Sequence, residues 1–107
     1  MADLESALEA RLFAGVRRGG GACFKLLRRP GLPDRLVVLP PDGRMLLIEL
    51  KTDTGRLSLV QKTMHEELRR IGVTVLVLTG RDGIDRWLTE TFPATTYTTT
   101  SAPRSGT

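Results

Sequence analysis

The chain has 107 residues, room for one small domain, and with 40% hydrophobic but only 5% aromatic residues its core must be built from Leu, Val and Ile. Its net charge of +4 suits a polyanionic partner without diagnosing one. A single cysteine, Cys23, excludes an internal disulfide and points to a reducing compartment. No apolar run approaches the roughly 18 residues of a membrane span, and Asp3, Glu5 and Glu9 stand where a secretory signal would be basic and then apolar. The expectation is a soluble, cytoplasmic protein.

Residues 3–18 predict an amphipathic helix, with Leu4, Ala7, Leu8, Leu12, Phe13 and Val16 on its apolar stripe. Its acidic start and Arg17-Arg18 end complement the helix dipole, and Gly19-Gly20-Gly21 stops it. Residues 22–28 read as a first strand and Arg29-Pro30-Gly31-Leu32-Pro33 as a connection. Residues 34–39 and 44–51 are two strands joined at Pro40-Pro41-Asp42-Gly43, and their continuous apolar runs suggest a sheet covered on both faces. Ser58 is the predicted N-cap of a second helix ending near Ile71, with Leu59, Met64, Leu68 and Ile71 facing inward and His65 partly exposed. Residues 73–78 form a buried strand, and residues 81–91 a third helix anchored by Ile84, Trp87 and Leu88. Residues 1–92 are thus one domain, and residues 93–107 a disordered tail rich in Thr, Ser and Pro. The order αβββαβα implies an α/β fold with a mixed four-stranded sheet, the strand-helix-strand unit being a parallel crossover and helices lying on both sides.

Asp34, Glu49 and Lys51 flank the hairpin. If Pro41 pairs with Arg44, Asp34 lies opposite Lys51; a slip of two residues places it opposite Glu49. In either register all three share one face, because side chains alternate along a strand. Opposed or diagonal partners stand roughly 5 to 8 Å apart, close enough for two carboxylates to share a cation beside an amine. Oxygen ligands favour a hard ion, Mg²⁺ or Mn²⁺, and the set fits metal-assisted phosphodiester hydrolysis. The spacing fits equally well an Asp34 that caps a turn and a Glu49–Lys51 ion pair at a sheet edge.

The segment Gly31-Leu32-Pro33-Asp34-Arg35-Leu36-Val37, followed by Asp42-Gly43-Arg44, Ile48-Glu49-Leu50-Lys51 and Gly55-Arg56-Leu57-Ser58, resembles the VRR-NUC domain. That family is a branch of the PD-(D/E)XK, restriction-endonuclease-like nucleases, and Gln61, Leu68, Gly72 and Val73 continue the pattern. The likeness covers roughly residues 5–90 and implies an αβββαβ core. It implies that Asp34, Glu49 and the carbonyl of Leu50 hold the metal and that Lys51 is the catalytic lysine. Gln61 and Glu5 would stand near the active centre, and Lys25 matches a frequent lysine of uncertain role. Arg29, Arg35 and Arg56 are candidate phosphate contacts, each also explicable as a solvated surface charge.

The function implied is a structure-selective DNA endonuclease dependent on Mg²⁺ or Mn²⁺. Stand-alone relatives look like phage or bacterial proteins and resemble Holliday-junction resolvases in their compact homodimeric build, so a homodimer in a bacterial or phage-infected cell is expected. A domain this small has no separate DNA-reading module, which favours recognition of backbone or branched structure over sequence. The alternatives are a nicking or flap-cutting nuclease without junction preference, and a non-catalytic nucleic-acid-binding module.

Overall fold

The computed structural model describes residues 4–26 and 29–93. Helix α1, Glu5–Arg18, is followed by strands β1 (Ala22–Lys25), β2 (Arg35–Leu39) and β3 (Arg44–Lys51). Helix α2 (Leu59–Arg70), strand β4 (Val75–Thr79) and helix α3 (Gly80–Thr91) complete the order. The four strands form one sheet in the order β1-β2-β3-β4, antiparallel except for the β3–β4 pair, which is parallel. This is the mixed α/β architecture that the periodicities predict. Residues 27–28 of the expected first strand and residues 94–107 of the expected tail lie outside the described residues.

The hairpin resolves the choice of register. Leu39 pairs with Arg44 and Arg35 with Ile48, so residues 40–43 form the turn and Asp34, one step before β2, falls opposite Glu49. Pro40 and Pro41 have no N–H to give to a ladder, which favours closing the hairpin outside them. Gly43 supplies the positive φ the turn needs, and its N–H donates to the Leu39 carbonyl at 2.9 Å.

Alternation then sorts the sheet into two unlike faces. Cys23, Val37, Leu39, Leu46, Ile48, Leu50 and Leu78 point to one side and pack with Leu8, Leu12 and Val16 of α1 and Ile84 and Phe92 at the end of the chain described. Trp87 and Leu88 of α3 pack against this core, and Trp87 meets Phe92 edge-on at 6.3 Å between ring centroids. A Cβ on Gly15 would overlap the Leu88 side chain, so the two helices approach closely at this glycine. The stripe of α1 is narrower than predicted: Leu4 and Phe13 are exposed, and Phe13 lies beneath the Arg17 guanidinium at 5.6 Å.

The opposite face is covered only in part. Helix α2 packs toward β4, leaving Phe24 and Met45 exposed at 54% and 62%, with Leu36, Val38 and Leu47 half-buried between them. The stripe predicted for α2 also changes. Leu59 and Ile71 are exposed at 79% and 77%, and the fully buried residue of this helix is His65, against the expected partial exposure. Beneath the helix, β3 presents the Glu49 carboxylate to Gln61 and His65.

Candidate active site

Three elements converge on Glu49. It sits on β3 with 2% exposure, at the end of an apolar run. The connection before β2 delivers Asp34, because Gly31 at φ +83° presses against the Val60 carbonyl and Met64 of α2, where a Cβ would collide. Pro33 is fully buried, and Asp34 Oδ2 accepts the Leu50 N–H at 3.0 Å. Asp34 is thus tied to β3 beside Glu49, within reach of a carboxyl–carboxyl hydrogen bond.

Helix α2 contributes from above. Ser58 and Gln61 form a reciprocal capping box: the Ser58 hydroxyl accepts the Gln61 N–H at 3.1 Å, and Gln61 Oε1 accepts the Ser58 N–H at 2.9 Å. The other end of the same amide donates to Glu49 Oε2 at 3.1 Å. One side chain therefore starts the helix and orients the strand carboxylate. Lys51 Nζ stands 3.6 Å from the same oxygen, with a fifth of its side chain open to solvent.

Burial pushes the Glu49 carboxyl up to about 7, the Asp34 carboxylate adds to the shift, and Lys51 opposes it. Its Oε1 is enclosed and has no hydrogen-bond partner. Such a group is costly unless a positive charge satisfies it. The donor set therefore fits a hard cation: two adjoining carboxylates, one oxygen of which lacks a partner. Among the described residues no group of three or more His, Cys, Asp or Glu is arranged to hold a metal.

A cleft of about 920 Å³ opens beside these groups, lined by Glu5, Lys25, Arg29, Asp34 and Gln61 among others. Four of the predicted site residues thus share a wall with Asp34. Arg56 is exposed on the loop after Lys51, outside this wall. Arg35 departs from expectation. It falls on the α1 face, is 6% exposed, and is consumed by a 2.9 Å ion pair with Glu9 and a bond to the Asp34 carbonyl. A guanidinium so engaged is a strut for the Asp34 backbone and is not offered to a phosphate.

Glu9, the partner of Arg35, carries no expected site role, and His65 is expected as a partly exposed helix residue, with a phosphate or substrate contact as the alternative. Both carried a signal in their spacing: Glu5 and Glu9 are one turn apart on α1, as are Gln61 and His65 on α2, so each pair shares a helix face.

The mixed four-stranded sheet and its three flanking helices define a restriction-endonuclease-like core. The VRR-NUC domain model matches residues 16–82, and the chain belongs to that family. It is 35% identical over 80 residues to "Putative nuclease p44" of Acyrthosiphon pisum secondary endosymbiont phage 1, a match spanning 73% of this chain and 85% of that protein. A solved structure described as a VRR_NUC domain is similar with a TM-score of 0.72 and 28% identity, covering 78% of this chain and 92% of its own.

Proposed function

We propose that this chain is a Mg²⁺- or Mn²⁺-dependent DNA endonuclease that hydrolyses phosphodiester bonds and acts on branched DNA as a homodimer. Nuclease activity is supported by the family and by the name of the phage relative. The observation that carries the chemistry is the buried Glu49 carboxylate beside Asp34, with Lys51 and Gln61 on Oε2 and Oε1 enclosed without a hydrogen-bond partner.

Asp34, Glu49 and the Leu50 carbonyl would hold the cation, which supplies polarisation of the scissile phosphate and a more acidic bound water. The Leu50 N–H fixes Asp34, and Gln61 fixes Glu49, so neither carboxylate must reorganise when substrate arrives. Lys51 is close enough to this pair to orient the attacking water or to neutralise charge developing on the phosphate. Glu5 on the cleft wall would approach the cation or its waters, while Lys25 and Arg29 along the cleft and Arg56 beside it would take DNA phosphates.

A four-way junction requires two symmetry-related cuts, and a two-fold dimer supplies two sites. The partly bare sheet face around Phe24 and Met45 is the apolar surface that a second copy would cover.

The test is cleavage of a four-way junction, a flap, duplex and single-stranded DNA with Mg²⁺, Mn²⁺ or EDTA, alongside Asp34→Asn and Lys51→Ala. Cation-dependent cutting of the junction that both substitutions abolish is the expected result. Cutting that survives both would overturn the site. Equal cutting of every substrate would remove the branch preference, and binding without cutting would make the chain a nucleic-acid-binding module.

A further inference from the structure

His65 has no part in the reading above, yet it is the most anomalous side chain in the molecule. It is fully buried on the inner face of α2, and neither ring nitrogen has a hydrogen-bond partner. Among the described residues, the enclosed side-chain polar atoms without partners are its Nδ1, its Nε2 and Glu49 Oε1. Native proteins leave few such atoms, and each calls for a reason. Here they meet: His65 Nε2 stands 3.8 Å from Glu49 Oε1.

One turn of α2 separates Gln61 from His65, so the two side chains descend on the same strand residue. Gln61 occupies Oε2 of Glu49, and the imidazole faces Oε1. We propose that His65 is a positioning residue whose Nε2–H donates to Glu49 Oε1, so that helix α2 grips both oxygens of the carboxylate and sets its plane for cation binding. This inference rests on Glu49 being a cation ligand.

The chemistry of both partners is suited to it. Burial, followed by the charges of Arg69 and Lys51, holds His65 below its ordinary range, against a smaller opposing pull from Asp34. A neutral imidazole carries one N–H, and once a bound cation holds Glu49 ionised, the acceptor-only carboxylate opposite Nε2 selects the tautomer with the proton there. A carboxylate oxygen has two lone pairs, so Oε1 can accept this N–H and still face a cation. Closing the pair to hydrogen-bond length takes a movement of about 1 Å. Partners of this kind behind a metal ligand set its orientation, and losing one typically weakens metal affinity about 10- to 100-fold.

Mn²⁺ binding to the full chain without DNA, followed by electron paramagnetic resonance of the free ion, tests the proposal independently of catalysis. His65→Leu removes the donor at similar volume, His65→Gln keeps an N–H near the Nε2 position, and His65→Asn reaches only as far as Nδ1. The expected result is a dissociation constant raised about tenfold or more in His65→Leu and His65→Asn, and largely recovered in His65→Gln. Wild-type affinity in His65→Leu, or equal affinity in the Gln and Asn variants, would overturn it. If His65→Leu does not fold, the Gln and Asn pair decides, with melting temperatures measured for both. Glu49→Gln separates the two layers. Wild-type affinity in that variant brings down the cation site itself, whereas lost binding there with full binding in His65→Leu removes only the role of His65.

Discussion

The two faces of strand β3 obey different rules. Leu46, Ile48 and Leu50 point toward α1 and α3 and are 3%, 0% and 1% exposed, as a packed hydrocarbon layer requires. On the other face Leu47 is followed by Glu49 and Lys51, and the helix above answers with Gln61 and His65. Burial is equally deep at Ile48 and Glu49. On the first face burial accounts for Leu46, Ile48 and Leu50. On the second it makes Glu49 expensive, and the neighbours that hold the carboxylate add no apolar packing in return. Local rules broken by a strand and a helix at the same point mark a functional site better than either breach alone.

Substitution should separate the faces cleanly. Glu49→Gln and Asp34→Asn are expected to lower cleavage by about 10²–10³-fold or more with the fold retained, measured as initial rate per folded molecule. Ile48→Ala should do the reverse. It is expected to cost about 2–5 kcal/mol in chemical denaturation while the remaining folded protein cuts at a near-normal rate. Equal effects of Glu49→Gln and Ile48→Ala on both readouts would erase the distinction.

Gln61 belongs to both regimes, and two variants can split it. Gln61→Ala removes the cap and the bond to Glu49, so stability should fall by about 1 kcal/mol and activity by about 10- to 100-fold. Gln61→Glu keeps a capping-box acceptor but has no N–H for Glu49. It should melt nearer the wild type and cut as poorly as the alanine variant. A fully active Gln61→Glu would reduce Gln61 to a helix cap.

How much of this was legible beforehand follows the same division. The α1 face could be read from periodicity: Leu8, Leu12 and Val16 at helical spacing, alternation in β2 and β3, and Ile84, Trp87 and Leu88 in α3 all landed in or against the core. The shared face of Asp34, Glu49 and Lys51 was legible too, because it survives a two-residue slip. Helix α2 departs from expectation because of its geometry: Leu59 stands about 180° around the helix from Leu68 and Ile71 is the C-cap past the last turn, so both are exposed, while Met64 and Leu68 stay half-buried on the side of Gln61 and His65. Arg35 was misread because its partner, Glu9, lies on another element far off in sequence.

The faces should also differ in their response to pH. Without metal, Glu49 titrates at about 7 when folded against an ordinary value of 4.5. The folded state thus holds a proton that the unfolded chain has released, so this group's share of stability is full below about 4.5 and is lost as pH rises through 7. In EDTA the melting temperature should fall by several degrees across that window, and Glu49→Gln should flatten the slope. Added Mn²⁺ should raise the melting temperature more at pH 8 than at pH 5.5, since it binds the ionised form. A slope unchanged in Glu49→Gln would assign the dependence to other groups.

The smallest effect is expected where the second face is bare. Met45 is 62% exposed on the strand that carries Glu49, at the end away from the site, so a charge there disturbs neither the core nor the carboxylates. If a second copy covers this surface, Met45→Asp buries a lone carboxylate at the contact and should dissociate the dimer, with little change in the melting temperature measured at low concentration. Sedimentation reads the mass directly. The monomer should still nick DNA, because each chain carries its own Asp34, Glu49 and Lys51, but it should lose the paired cuts that resolve a junction. A wild-type chain that sediments as a monomer would instead leave the contrast between the two faces as a property of one chain: a closed apolar layer below, and above it a polar site whose bare surround meets DNA or solvent.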